Sequence, residues 1–256
     1  MGGKMRIMHK AFIMRILKLF LPALFFVALA LSCIAQGRAV APFTKVIVSP
    51  YIQVEFVKGG TENVAINSIL VDSSKLHIEV QHATLRLYLE GAKEIPKNQK
   101  DGSQSYPLYP RHAVVATVTY RSLDELSLRG DETQLCDSPI VTNKFTLSIY
   151  GESRVLFTEM RVREFNAQIY GESRLEIRSG TIDRQRYVCY GEGKVITTAA
   201  KGRESRITAY GEAEFNLNVS DRIAITSFGE AKLRYMGNPE IVKGLHFGGV
   251  DVKRLD

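Results

Sequence analysis

The chain of 256 residues contains no tryptophan, only three cysteines and five histidines. Two of the cysteines, Cys136 and Cys189, lie beyond the first 35 residues, which is too few for a disulfide framework. Four histidines lie there as well, at positions His77, His82, His112 and His246. Their spacing would not bring two of them onto one metal ion. The sequence therefore predicts no metal site, no cofactor and two free cysteines.

Familiar catalytic patterns are also missing. The chain has no Gly-x-Ser-x-Gly elbow, no phosphate-cradling glycine loop and no Cys-His-Asn arrangement. We therefore expect a protein that is not an enzyme.

The first 35 residues have the pattern of an export signal. Five basic residues precede an apolar run at positions 19–31, and small residues follow before Gln36. The run is short for a spanning helix, which needs about 20 residues. We predict a signal peptide over 1–35, with cleavage after Ala35 and a mature chain of 36–256. Acylation of Cys33, which would anchor the chain to a membrane, is the alternative.

The basic character of the chain comes mostly from this leader. It holds five of the 34 basic residues and none of the 27 acidic ones, which leaves 29 against 27. Nucleic-acid binding requires a clustered excess of positive charge. We therefore expect no nucleic-acid partner.

One short phrase recurs from position 145 to 231. An aromatic residue, Gly and Glu stand together five times, at spacings of 20, 20, 20 and 18 residues. The glycines are Gly151, Gly171, Gly191, Gly211 and Gly229. A weaker copy, Arg129-Gly130-Asp131-Glu132, precedes them by 21 residues. A fixed period in this range is typical of a solenoid.

Apolar and polar residues alternate around each glycine. Phe145, Leu147 and Ile149 fall on one side of the pattern, whereas Thr146 and Ser148 fall on the other. Alternation with period two predicts strands with one buried face. The fold class predicted is all-β: a right-handed parallel β-helix, or solenoid, with rungs of about 20 residues. Glycine in a strand marks a bend, so we expect a corner there, at an inward-facing position.

A less regular β region precedes the repeats. Five runs between positions 43 and 89 carry strand patterns, with turns at 59–60 and 72–74. Residues 91–112 contain three prolines and are predicted to form an exposed loop. We expect one domain over 36–256, with the irregular region at 43–125 and the rungs at 126–256. The last rung or cap is expected from position 240 onward.

The chain resembles the head-GIN domain family of auto-transporter adhesins, which are secreted proteins of Gram-negative bacteria. The resemblance rests on an export signal, an opening at 43–48, the segment 116–123 before the first rung, and a close at 235–239. It covers nearly the whole mature chain. It implies a β-helix-like fold and a location at the cell surface or in the periplasm, and it brings no catalytic residues. In five rungs of this chain Glu follows Gly, where the family often has Ser or another small residue.

Stacked repeats turn sequence positions into columns on the outward face. The aromatic column contains Tyr150, Tyr170, Tyr190, Tyr210 and Phe228. One interpretation is offset stacking that stabilises the sheet, and the other is a binding stripe for sugar rings. The lack of tryptophan and the automatic stacking of an in-register repeat favour the structural interpretation.

Two charged columns run beside the aromatic one. The acidic column contains Glu152, Glu172, Glu192, Glu212 and Glu230. The mostly basic column contains Arg154, Arg174, Lys194, Glu214 and Lys232. We expect the two columns to compensate each other as a surface ribbon. A calcium site is the alternative for the carboxylates, which the basic neighbours disfavour.

The function predicted is an exported, non-enzymatic binding or adhesion module. It would reside in the periplasm, on the outer-membrane surface or outside the cell. The ligand is not identified by the sequence, and a glycan or another cell-surface component is the expected class. The alternative is a polysaccharide-active β-helix enzyme, a lyase or hydrolase, which would need one cleft with a positioned base.

Overall fold

The computed structural model of the protein describes residues 37–101 and 104–255. This part is almost entirely β-structure, with one 3-10 turn at Ser73–Lys75. None of its helical structure is long and apolar enough to cross a membrane. The predicted signal peptide at 1–35 lies outside the described residues.

The predicted strands of the less regular region are confirmed. The first six strands are β1 (Arg38–Ala39), β2 (Lys45–Val48), β3 (Ile52–Lys58), β4 (Asn63–Ile69), β5 (Leu76–Gln81) and β6 (Thr84–Leu89). Their buried residues alternate along β3 and β6, as a strand with one core-facing side requires.

The prediction of a loop over 91–112 is wrong in its centre. Two short strands, β7 (Asn98–Asp101) and β8 (Gln104–Pro107), pair there as an antiparallel hairpin. The hairpin was missed because its residues are polar and mostly exposed, so no apolar alternation marks them. Tyr109, just after the hairpin, is buried against Tyr51 with the two rings in an edge-to-face contact.

The remaining strands form the rungs. They are β9 (Val114–Tyr120), β10 (Glu125–Gly130), β11 (Thr133–Cys136), β12 (Ile140–Gly151), β13 (Arg154–Phe157), β14 (Met160–Tyr170), β15 (Arg174–Ile177), β16 (Gly180–Tyr190), β17 (Lys194–Met236), β18 (Glu240–Phe247) and β19 (Val250–Arg254). The long β17 passes both the Gly211 and Gly229 corners. β18 and β19 pair in parallel with β17, so the predicted last rung is confirmed.

Consecutive rungs stack in parallel and in register. One ladder runs β6–β2–β10–β12–β14–β16–β17–β18, and a second runs β9–β3–β11–β13–β15–β17–β19. The parallel β-solenoid predicted from the repeats is confirmed. The less regular strands belong to the same sheet, because β2 and β3 form a rung between β10–β11 and β6–β9.

The core is a continuous apolar column inside the rungs. Phe145, Phe157, Phe165, Tyr187 and Phe215 are fully buried, and their rings contact one another from rung to rung. The inward residues predicted from the alternation are therefore confirmed. Cys136 and Cys189 are buried and free, also as predicted. Burial raises the pKa of the Cys189 thiol to about 12, so it stays protonated and packs as a small apolar group.

The repeat glycines form the corner that the sequence predicts. Gly171 has a φ of +104°, a backbone conformation that residues with a side chain rarely adopt. The predicted inward direction is wrong. A Cβ on Gly171 would lie 2.4 Å from the carbonyl oxygen of Gly151, so it would strike the preceding rung rather than enter the core. Glycine is required at this corner because the backbones of neighbouring rungs approach closely.

Candidate functional site

The aromatic column is a stack of parallel rings. Neighbouring rings from Tyr150 to Phe228 have centroids 4.7–5.1 Å apart and planes within 4–6° of parallel. Phe247 of the last rung extends the stack at 5.8 Å and 24°. This regularity follows from the strand register, since Tyr150, Tyr170, Tyr190 and Tyr210 are direct ladder partners next to the glycine corners.

Stacking leaves little of the ring faces open to a ligand. Tyr150, Tyr190 and Tyr210 are each 37–39% exposed, because each interior ring is covered on both faces by its neighbours. At one end, the Arg129 guanidinium lies 5.5 Å from the Tyr150 ring centroid. At the other end, Phe247 is 63% exposed. Within this stack, a sugar ring that needs a free aromatic face could therefore bind only at Phe247, whereas the interior rings offer edges and hydroxyl groups.

Partial burial also affects the phenol group of Tyr170. Desolvation, with a smaller effect of the neighbouring Tyr190 and Tyr150, raises the pKa of Tyr170. The hydroxyl therefore stays protonated at neutral pH and can donate a hydrogen bond to a ligand.

The acidic column lies beside the aromatic stack, fully on the surface. Its five members, Glu152, Glu172, Glu192, Glu212 and Glu230, are all exposed. The predicted compensation by the basic column is wrong: within the described residues, none of the five forms an ion pair. The result is a row of carboxylates, one per rung, that are not ion-paired among these residues, although Lys194 and Lys232 line the same shallow pocket as Glu192, Glu212 and Glu230.

The basic column pairs elsewhere. Arg174 contacts Glu176 at 3.2 Å, and Lys194 contacts Glu214 at 2.7 Å. The Lys194 ammonium holds the pKa of Glu214 below its usual range. These partners lie along the same strand or in the next rung, where side chains of residues two apart share a face. Sequence alone does not decide between these contacts and those to the acidic column.

The acidic column does not form a metal-binding cluster in the part of the chain that the structure describes. In residues 37–101 and 104–255, no group of three or more His, Cys, Asp or Glu side chains is arranged to hold a metal ion.

Buried side chains behind the corners have a role that sequence reasoning missed. The Ser153 hydroxyl donates to the Gly130 carbonyl at 2.7 Å, and the Ser173 hydroxyl donates to the Gly151 carbonyl at 2.9 Å. From the sequence, a small residue two positions after each corner glycine predicts only a narrow interior. The hydroxyls instead bind each corner to the preceding rung, while Gly193 and Ala213 at equivalent positions lack this bond.

The first corner is held by a buried carboxylate. Glu132 is 3% exposed, and its two carboxylate oxygens accept from the amides of Tyr51 and Asp131, each at 3.0 Å. Burial raises the pKa of Glu132, although these amides oppose the effect. Glu132 therefore joins the first repeat rung to the β2–β3 rung, whose corner is Pro50-Tyr51 instead of glycine.

Fold and columns together define the molecule as a parallel β-solenoid with an aromatic stack and an acidic ridge along one face. The family model described as "Putative auto-transporter adhesin, head GIN domain" matches residues 42–239. The chain belongs to this family, as the resemblance in its sequence predicts. No curated protein matches it.

Solved structures share the fold. A protein of Bacteroides fragilis described as an adhesin superposes with a TM-score of 0.69 at 17% identity, covering 86% of this chain and 95% of the other. A protein of Parabacteroides distasonis described as lipid binding gives 0.62 at 16% identity, covering 86% and 96%. An adhesin-described protein of Parabacteroides merdae gives 0.54 at 13%, covering 86% and 95%. At these identities, the similarity establishes the fold.

Proposed function

We propose that the chain is an exported, non-enzymatic β-solenoid that acts as a binding or adhesion module at the cell surface or in the periplasm. The observation that carries this proposal is the acidic column beside the aromatic stack. Five exposed carboxylates, none of them ion-paired within the described part of the chain, repeat once per rung next to a row of tyrosine edges. The adhesin description of the family supports a binding role.

A glycan is the ligand class that this face fits best. Carboxylates accept hydrogen bonds, and sugar hydroxyls supply many donors along a chain. Rungs about 4.8 Å apart present the same acceptor repeatedly, so that many weak contacts add up along one ligand. Stacking of sugar rings on aromatic faces contributes little, because the interior ring faces are already covered.

A polysaccharide-active enzyme fits the described residues less well. Such an enzyme needs one cleft in which a carboxyl group is tuned as an acid or base. Among the carboxyl groups of residues 37–101 and 104–255, only Glu132 has a clearly raised pKa, and its oxygens are taken up by backbone amides. The acidic column repeats evenly and singles out no residue.

The binding role is tested with the exported protein on a glycan array and on whole cells. Replacing two central glutamates, Glu172→Gln and Glu192→Gln, should weaken attachment because two acceptor charges are lost from the ridge. The matched control replaces two exposed acids away from it, Glu90→Gln and Asp183→Asn, and should attach normally. Equal attachment by both variants would refute the acidic face as the binding surface. Turnover of a polyuronate that one Glu substitution abolishes would establish the enzyme alternative.

A further inference from the structure

A groove of about 410 Å³ lies on the sheet face of β14, β16 and β17. Two columns of outward side chains bound it, and residues Phe165, Gln185 and Ser205 lie between them at its floor. Arg186 on its wall is four residues from Tyr190, which corresponds to roughly 13 Å along a strand. The groove is therefore separate from the aromatic stack, which lies on the same strands, and from the acidic column, which follows the glycine corner.

The first wall of the groove neutralises its own charge. In register across the rungs, Lys144 is followed by Glu164, Arg184 and Glu204. The alternation continues with Arg222, which lies opposite Glu240. Arg184 pairs with Glu164, and Arg222 lies 3.9 Å from Glu240. Opposite charges that face each other across strands stabilise a sheet, so this wall has an ordinary structural explanation.

The second wall carries charge without compensation. Arg186 and Arg206 are direct ladder partners in adjacent rungs, and both are exposed. Like charges placed directly opposite each other destabilise a sheet. Neither arginine forms an ion pair within the described part of the chain, and their column neighbour Asn166 is neutral. The four arginines and two glutamates around the groove give a net charge of +2, which equals these two guanidinium groups.

The core beneath the groove is unusually polar. The column that holds Phe145 and Phe165 continues with Gln185 and Ser205, which are 3% and 4% exposed. Gln185 Nε2 and Ser205 Oγ have no hydrogen-bond partner among the described residues. Gln185 Oε1 accepts a hydrogen bond from the buried Tyr187 hydroxyl at 2.8 Å, which gives the glutamine one structural role. Its Nε2 and the Ser205 Oγ still cost folding free energy, because buried polar groups without partners are unfavourable.

We propose that this groove binds a small acidic saccharide through its carboxylate or phosphate group, with Arg186 and Arg206 contacting the oxyanion. The planar guanidinium fork matches both groups with paired hydrogen bonds. The volume falls within the roughly 300–1,000 Å³ typical of small-molecule sites, which is more than a bare ion needs. This site adds to the proposed adhesion face and has the opposite charge, so the two surfaces recognise different ligands.

The proposal is tested by calorimetric titration of the exported protein with D-glucuronate and with glucose 6-phosphate. Neutral glucose serves as the uncharged probe and should not bind. The double variant Arg186→Gln/Arg206→Gln should weaken binding of an acidic probe at least about tenfold, because hydrogen bonds to a charged group are lost. Glu204→Gln should strengthen it by about two- to fivefold, since a repelling charge is removed from the wall.

A control of equal charge change is Arg121→Gln/Arg154→Gln, two exposed arginines outside the groove. It should leave the affinity within about twofold, because exposed charges farther than a Debye length are screened. Thermal unfolding checks that each variant folds. Should the groove double variant not fold, the increase expected for Glu204→Gln still decides the matter.

Four results would overturn the proposal. The first two are that neither acidic probe binds the wild-type protein and that the groove double variant keeps its affinity. The other two are that the control double variant loses as much affinity as the groove variant and that Glu204→Gln fails to strengthen binding. Association with phosphatidylglycerol vesicles in the absence of saccharide binding would identify a membrane surface as the occupant instead. None of these results bears on the Glu172 and Glu192 variants, so the adhesion proposal is judged separately.

Discussion

Gly171 illustrates how a single residue type sets the spacing of the whole stack. Its positive φ and the 2.4 Å approach of a Cβ to the Gly151 carbonyl both exclude a side chain. The same carbonyl accepts a hydrogen bond from Ser173, so the corner combines close backbone contact with a side-chain bond. The repeated glycine in the sequence is therefore a consequence of stacking geometry.

We predict that Gly171→Ala destabilises the protein by at least about 3 kcal/mol, because backbone strain and a clash with the preceding rung add together. The matched control is Gly193→Ala, whose position lacks the positive φ and is occupied by Ser or Ala in neighbouring rungs. Its Cβ would lie 3.3 Å from the Cys189 sulfur, which a small shift accommodates. Chemical denaturation measures both, and equal destabilisation would contradict the corner explanation.

At the scale of elements, the joint between the repeats and the β2–β3 rung depends on polar side chains. Gln134 accepts from the Val54 amide at 2.9 Å and donates to the Ile52 carbonyl at 2.9 Å. Glu132 accepts from two more amides at the adjoining corner. These bonds replace ladder contacts where the glycine corner is absent, so an irregular rung can stack on regular ones.

Glu132 makes this joint sensitive to pH. Its folded-state pKa is raised by burial, so the folded protein binds the proton more tightly than the unfolded chain. The stability from that proton is fully present below the ordinary pKa of 4.5 and is lost as the pH rises through the raised value. We predict that the unfolding free energy of the wild type, relative to Glu132→Gln, falls as the pH increases over this interval.

Denaturant titrations of both proteins between pH 4 and about 7 measure this difference. The glutamine has the same shape and no charge, so effects of other titrating groups cancel. A difference that rises with pH would mean that the two amides stabilise the carboxylate more than burial penalises it.

At the scale of the whole molecule, the solenoid displays two chemically distinct surfaces, one on each side of the glycine corners. Arg186 and Glu192 are six residues apart along the chain, with the Gly191 corner between them, and the two surfaces have opposite charge. Both arise because each rung repeats the position of the one before it, so a residue type that recurs becomes a continuous column. Charged columns of this kind are consistent with the proposed binding role.

The proposed export predicts a defined mature chain. Mass spectrometry of the native protein should find Gln36 as its first residue, because small residues end the leader at Ala35. Cys33→Ser serves as the control and should leave the mature mass unchanged. An acylated Cys33 at the N-terminus, or a variant that is no longer processed, would establish lipid anchoring in place of release.

The sequence by itself determined the solenoid, the positions of its corners and the inward apolar residues. These features repeat every 20 residues, and a repeat whose apolar positions alternate has one way to bury them: stacked strands with a shared core. It also placed Tyr150, Tyr170, Tyr190 and Tyr210 on the outside, because side chains in a strand alternate between its two faces.

Tertiary structure alone decided the rest. The rung of β2 and β3 has no repeat phrase, and the β6–β9 rung stacks outside it although it comes later in the chain. The sequence also does not predict the ion-pair partner of each exposed charge, since Lys194 pairs with Glu214 and not with a member of the acidic column. Periodicity fixes which face a residue occupies, whereas the pairing of long side chains depends on distances between rungs that no single repeat contains. For the same reason, only the tertiary structure shows that Glu132 is buried and that Arg186 and Arg206 lie side by side without ion-pair partners among the described residues.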